Sequence, residues 1–86
     1  MANTIEKDGI LYLLVPVSEL NAGDIFYKKP GMSSKPFVIN HHNTAKQCKK
    51  ESYRSDGFGE ASISPDDDMN KESFLRHDKT VFCELY

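Results

Sequence analysis

The chain has 86 residues and a formal net charge of −2, and 38% of its residues are hydrophobic and 28% charged. A chain of this length forms one small domain, so we predict a single domain over residues 1–86 whose core is too thin for a deep enclosed active site. The small negative charge supplies no overall attraction to nucleic acids or to anionic membranes.

The N-terminal third predicts two strands joined by a short turn. Residues 1–8 are polar and are expected to be flexible. Ile10–Val15 is almost continuously apolar, which favours a buried strand that ends at the following proline. Leu20 is expected to point inward from the turn, and Gly23 to supply a positive φ before a second strand over 25–29.

The central third predicts a hairpin followed by an ambiguous stretch. Residues 30–36 have loop composition, and the apolar residues 37–40 are expected to pair with the preceding strand. Residues 44–55 combine helix-favouring lysine and glutamine with no apolar positions at helical spacing. The Asp-Gly pair at 56–57 is a favoured hairpin corner, and residues 58–63 are predicted to return as a strand.

The C-terminal third contains the clearest helix signal. The Ser-Pro-Asp sequence at 64–66 suits a helix N-cap, first position and first turn, so we predict one short helix near 65–76. Residues 80–86 are expected to close the fold as a strand, with Val81, Cys83 and Leu85 on its core face. The elements together predict a mostly β protein, either a small barrel or a curled antiparallel sheet. The alternative is an α+β sandwich in which residues 43–52 form a second helix.

Several short motifs resemble small SH3-like barrel proteins of tailed bacteriophages. In those proteins a turn often leads into Gly-Asp-x-Phe, and a short final strand follows an Asp-x-Thr corner. The matching residues here are Leu20, Gly23, Asp24 and Phe26, then Asp78, Thr80 and Val81. The resemblance implies a small SH3-like barrel, a phage origin and a small binding protein.

The residues suited to metal ligation or nucleophilic catalysis do not form a recognised motif. Zinc sites usually take four ligands from closely spaced pairs, and adjacent His41 and His42 point to opposite faces of an extended segment. Cys83 is expected in the core, where a thiol behaves as a small hydrophobic group, and both cysteines are expected to be free. We predict no metal site, no cofactor, no catalytic residue and no enzymatic activity. The whole set of candidate ligands is His41, His42, His77, Cys48 and Cys83.

Residues 66–77 begin like a calcium-binding loop, with three consecutive aspartates. Such a loop needs Gly at its sixth position and a bidentate Glu at its twelfth, where this sequence has Lys71 and His77. A charged helix N-terminus therefore explains the aspartates better than a calcium site does.

Two neighbouring segments carry opposite charge. Residues 46–54 hold four basic residues and one acidic residue, whereas residues 56–72 hold six acidic residues and one basic residue. These segments either pair with each other at the surface, which contributes little stability, or present two opposed patches to partners.

The charge pattern gives two hypotheses for function. We predict a small non-catalytic binding protein, phage-encoded as the resemblance implies, that modulates or inhibits a bacterial host enzyme or defence complex through an acidic surface. Its predicted partner-binding residues are Asp56, Phe58, Glu60, Asp66, Asp67 and Asp68. The alternative is a small nucleic-acid-binding barrel that uses basic side chains on phosphates and Tyr53 on a base. The residues of that alternative are Lys46, Lys49, Lys50, Tyr53 and Arg54.

The sequence also predicts a location. Its N-terminus lacks the basic start and the cleavage site of a signal peptide, and its longest apolar run is too short to span a bilayer. We expect a cytoplasmic protein that does not contact membranes, located in the host cytoplasm if it is phage-encoded.

Overall fold

Antiparallel strands are the main secondary structure of the computed structural model, which describes residues 3–85. The strands are β1 Thr4–Lys7, β2 Ile10–Pro16, β3 Ile25–Tyr27, β4 Pro36–Asn43, β5 Glu60–Pro65, β6 Ser73–Arg76 and β7 Thr80–Glu84. They form one sheet in the spatial order β1-β2-β7-β3-β4-β5-β6. The other elements in residues 3–85 are two 3-10 turns, Val17–Glu19 and Ala45–Gln47, and the helix α1, Glu51–Ser55. The predicted mostly β fold class is therefore confirmed.

The sheet is curled but not closed, since β1 and β6 lie at its two edges. Val81 of β7 and Ala61 of β5 belong to one core although two strands separate them, so the sheet must curve around that core. The first 3-10 turn covers the concave side, where the Val17 amide donates to the Lys79 carbonyl at 2.9 Å. The buried residues of this core are Val17, Leu20, Phe26, Ile39, Ala61, Ile63 and Val81.

An aromatic cluster packs on the opposite face of the sheet. The Tyr12 ring lies edge-on to Tyr27 and Phe82, with ring centroids 5.8 and 6.2 Å away. The loop between β3 and β4 contributes to its cover, because the Gly31 amide donates to the Tyr12 hydroxyl at 3.1 Å. Tyr12 is consequently only 1% exposed, so apolar burial on both faces stabilises this thin domain.

Several local predictions are confirmed. Leu20 is buried in the core, and Gly23 has a φ of +94° before β3. β3 and β4 pair as the predicted hairpin. Val81 is buried and Cys83 packs against the core, but Leu85 is 39% exposed because it follows the end of β7.

The short helix predicted near 65–76 is wrong. Residues 64 and 65 end β5, residues 66–72 form turns, and residues 73–76 form β6. Ser64 does not cap a helix but accepts a hydrogen bond from the Asn40 side chain at 2.9 Å. A helix here would have Met69, Phe74 and Leu75 as large apolar residues, and their spacing gives no common helical face, whereas the extended form pairs Leu75 with Ala61 of β5.

The hairpin corner predicted at 56–57 is the end of a helix instead. Gly57 has a φ of +79° and donates to the Arg54 carbonyl, and the Phe58 amide donates to the Tyr53 carbonyl. These two bonds define a Schellman motif, which ends α1. The alternative second helix over residues 43–52 is also wrong, because that segment contains the end of β4, a 3-10 turn and only the start of α1.

The chain ends and strand limits differ from the sequence-based expectation. Residues 4–7, expected to be flexible, form β1 against β2, while residues 1 and 2 lie outside the described part. The final strand, predicted over residues 80–86, ends at Glu84, and residue 86 lies outside the described part of the chain. The strand predicted over 25–29 is β3 and stops at Tyr27. The next strand, β4, continues past residue 40 to Asn43, and β5 begins later than predicted, at Glu60.

Candidate functional site

The predicted partner-binding residues do not form one surface. Asp66, Asp67 and Asp68 occupy the turn after β5, which we call the acidic turn, whereas Asp56 and Phe58 precede β5. β5 has six residues, and at a rise of about 3.3 Å per residue it holds the two groups about 17 Å apart. Asp66 and Asp67 are exposed, and only a weak contact of 3.9 Å to Lys71 offsets the charge of Asp68.

The prediction that Glu60 contributes to an acidic surface is wrong, because its side chain is fully buried. One carboxylate oxygen, Oε2, accepts hydrogen bonds from the Asn43 side chain at 3.1 Å and the Lys49 amide at 2.7 Å. The other, Oε1, is buried without a partner among the described residues. Glu60 therefore anchors the segment after β4 to the sheet.

Arg76 contacts Asp56 and Phe58, the two predicted partner-binding residues that precede β5. Its guanidinium contacts Asp56 at 2.7 Å and Asp78 at 2.8 Å, and it lies 4.2 Å from the centre of the Phe58 ring. The hydrogen bond to Asp78, more than the charges around it, raises the pKa of Arg76. This arrangement offsets the charge of Asp56 and packs Phe58 against the guanidinium, although both residues remain exposed, Phe58 at 39%.

Residues 46–54, which we call the basic segment, run from the 3-10 turn Ala45–Gln47 through a short link into α1. Lys46, Lys49 and Lys50 are exposed there, and none has a carboxylate within 4.0 Å in the described part of the chain. Arg54 is exposed but donates to the Cys48 carbonyl at 2.7 Å. Lys50 lies over the Tyr53 ring at 5.2 Å, so that ring face is covered rather than open to a base.

A histidine pair, which the sequence analysis missed, joins three parts of the fold. His42 Nδ1 and His77 Nε2 are 2.8 Å apart, and His42 Nε2 lies 2.6 Å from the Leu20 carbonyl oxygen. A carbonyl only accepts, so His42 Nε2 carries a proton, and a neutral His42 accepts from His77 at Nδ1. The pair ties β4 and the turn before β7 to the loop before β3.

A β-bulge decides which of the adjacent histidines joins the pair. The bulge leaves Asn40 without an opposing residue in the register with β5 and shifts the pairing of the rest of β4 by one residue. His42 therefore shares the core face with Ala61, while His41 points to the opposite face. Nothing in the sequence identifies this bulge.

The histidine pair predicts a pH-dependent stability. Burial, followed by the charge of His42, lowers the pKa of His77 below its ordinary value of 6.5, while Glu60 opposes the shift. Below pH 6.5, His77 binds a proton in the unfolded chain before it does so in the folded chain, which favours unfolding. The stability present above pH 6.5 is therefore lost as the pH falls through the lower pKa of His77 in the folded chain. We expect urea midpoints to fall between pH 7.5 and 5.5, and to fall less in His77→Gln. An equal fall in both proteins would contradict the role of His77.

The β3–β4 loop forms an open depression that the sequence did not predict. Lys28, Lys29, Ser34, Lys35 and Phe37 line a volume of about 200 Å³, which we call the lysine cavity. The lysines are exposed, and Lys28 Nζ lies 4.5 Å above the Phe37 ring. The only signal in the sequence is lysine on both sides of a hairpin loop.

A second depression lies beside β3 and β7 and is acidic. It has a volume of about 340 Å³ and is lined by Gly23, Asp24, Ile25, Tyr27 and Glu84. The Tyr27 hydroxyl donates to Glu84 at 3.1 Å, and Asp24 accepts from the Asn21 amide at 2.7 Å. Both carboxylates thus have structural roles in the fold.

The histidines and cysteines do not assemble into a metal site or a disulfide in residues 3–85. Cys48 donates to the Phe58 carbonyl at 3.1 Å, and Cys83 packs on the core. Burial is the main cause that raises the pKa of each thiol, which disfavours the reactive thiolate.

No helix in residues 3–85 is long and apolar enough to cross a membrane. Comparisons of the chain with protein families, with curated proteins and with solved structures found no match.

Proposed function

We propose that the protein is a small non-catalytic binding protein that recognises another protein through the acidic turn. The observation that carries this proposal is the exposure of Asp66 and Asp67 beside Met69, whose side chain is 55% exposed. Methionine is enriched in protein interfaces, where an apolar contact surrounded by charges combines contact area with selectivity. A basic groove on a partner would complement this surface.

The backbone of the acidic turn is already held in place. The Asp66 amide donates to the Pro36 carbonyl at 3.0 Å, and the Asp68 amide donates to the Pro65 carbonyl at 3.1 Å. The Lys71 amide closes the next turn on the Asp68 carbonyl at 3.1 Å. A turn that is ordered before binding loses less conformational entropy in a complex, which favours recognition by this segment.

The charges around the acidic turn favour a protein partner over a nucleic acid. The hydrogen bond from Asp66 to Pro36 places the turn beside Lys35 and thus beside the lysine cavity. A surface with both signs of charge suits a protein with complementary charges, whereas its carboxylates repel a continuous polyanion. The resemblance to phage proteins implies no particular target, and we propose a bacterial host protein as the partner and its inhibition or modulation as the outcome.

Neutralising the acidic turn tests the proposal. Capture from a bacterial lysate by the wild-type chain is compared with capture by Asp66→Asn, Asp67→Asn and Asp68→Asn combined. The control removes the same charge from exposed carboxylates elsewhere, with Glu6→Gln, Glu19→Gln and Glu51→Gln combined. Quantitative mass spectrometry should show a protein that the control retains and the turn variant loses by about tenfold. Equal recovery of every captured protein by the two variants would contradict the proposal.

A second candidate function is nucleic-acid binding by the basic segment. The observation in its favour is the exposure of Lys46, Lys49 and Lys50 on one short segment without a neighbouring carboxylate in residues 3–85. The covered ring of Tyr53 argues against base stacking. A salt titration with short single-stranded DNA separates the candidates, because phosphate contacts weaken steeply as salt increases.

A further inference from the structure

We propose that the lysine cavity is a binding site for a small phosphomonoester. Lys28 and Lys29 follow β3, and Lys35 precedes β4, so the hairpin brings three lysines to the lining of one open depression of about 200 Å³. In residues 3–85, none of these lysines has a carboxylate within 4.0 Å. Their charges are therefore available to an anion.

The number of charges favours a phosphate group over a carboxylate. A phosphomonoester carries close to two negative charges at neutral pH and has three terminal oxygens, each of which accepts strong hydrogen bonds. Each lysine ammonium is a donor with three protons and no acceptor, so three lysines can approach different oxygens of one phosphate. A single carboxylate would leave more of this positive charge unbalanced.

The remaining walls favour a small organic group attached to the phosphate. Phe37 lines the cavity and is packed against the core, and Lys28 Nζ lies 4.5 Å above its ring, so an organic group would reach the apolar ring only where Lys28 turns toward the phosphate. The loop backbone is also held, since the Ser34 amide donates to the Gly31 carbonyl at 3.1 Å and the Ser34 hydroxyl to the Pro30 carbonyl at 3.2 Å. A volume of about 200 Å³ exceeds what one phosphate group occupies and leaves room for a short alcohol portion.

The neighbouring acidic turn argues against a nucleic acid at this site. The Asp66 amide donates to the carbonyl of Pro36, the residue after Lys35, so the acidic turn with its three carboxylates adjoins the end of β4 that borders the cavity. Successive phosphates of a strand would meet these carboxylates, whereas one isolated phosphate group would not. This inference is independent of the proposed recognition of a protein by the acidic turn.

Nuclear magnetic resonance titrations of the full chain test the inference. Inorganic phosphate and glycerol phosphate should shift amide signals of residues 28–37, whereas acetate at equal ionic strength should shift them far less. Lys28→Gln, Lys29→Gln and Lys35→Gln combined should weaken phosphate binding by about tenfold or more. The matched control is Lys46→Gln, Lys49→Gln and Lys50→Gln combined, which removes the same charge and should change the affinity by less than about twofold.

Three results would overturn the inference. The first is an absence of phosphate-dependent shifts at residues 28–37 in the wild-type chain, a result that does not depend on whether the variants fold. The second is an equal response to acetate and phosphate, which would indicate general charge screening. The third is much tighter binding of short single-stranded DNA than of glycerol phosphate through the same three lysines, which would assign the cavity to nucleic acid.

Discussion

Replacing Glu60 by alanine is expected to lower the free energy of unfolding by about 3 kcal/mol. The substitution removes the acceptor of the Asn43 side chain and of the Lys49 amide and leaves both donors unpaired beside the empty volume. A small domain has a free energy of unfolding of only about 5 kcal/mol, so Glu60→Ala should retain about 2 kcal/mol. Urea unfolding followed by circular dichroism measures the loss.

Glu60→Gln is the matched variant for this prediction. A glutamine amide oxygen can replace Oε2 and keep both acceptor contacts, while the amide nitrogen takes the place of the unpartnered Oε1. We therefore expect a loss of about 1 kcal/mol or less. If glutamine proves as harmful as alanine, the hydrogen bonds are not the reason that this position matters.

Replacing Gly59 by alanine is expected to lower the free energy of unfolding by about 2–3 kcal/mol. A Cβ at this position would lie 2.5 Å from the Asn43 carbonyl oxygen and would also collide with the His77 ring. The obstacle is partly backbone, and the Gly59 carbonyl also accepts a hydrogen bond from the His77 amide at 2.9 Å, so β4 and the turn before β7 must both move. We expect altered imidazole signals for His42 and His77 together with the loss of stability.

Gly57→Ala is the control for the Gly59 substitution. A Cβ there would meet nothing within 4 Å, so the only cost is the strain of its positive φ of +79°, about 1 kcal/mol. The histidine signals should stay unchanged in this variant. Unchanged histidine signals in Gly59→Ala as well would show that the close approach to His77 does not exist in solution.

The candidate surfaces were only partly predictable from the sequence. The runs of like charge identified the exposed Asp66 and Asp67, and they identified the exposed lysines at 46–50. The same runs misassigned Glu60, because charge in a sequence does not show which carboxylate will be buried by a neighbouring segment. The ion pair of Asp56 was not predictable for a related reason, since its partner Arg76 is twenty residues away along the chain.

The sequence by itself determined the elements that depend on near neighbours. The apolar run at 10–15 specified β2, and a glycine at 23 allowed the positive φ before β3. The alternation of residues 80–84 specified which face of β7 enters the core. These features follow from steric limits on φ and from burial patterns that span only a few residues.

Only the tertiary structure decided the conformation of residues 64–76 and the positions of the buried polar groups. Ser64 and Pro65 carry a good local helix signal, yet pairing with β4 supplies the sheet hydrogen bonds and apolar contacts that a short polar helix cannot. The bulge at Asn40, the histidine pair and the lysine cavity each join residues brought together by strand pairing. Their geometry depends on the order of strands in the sheet, which local preferences do not encode.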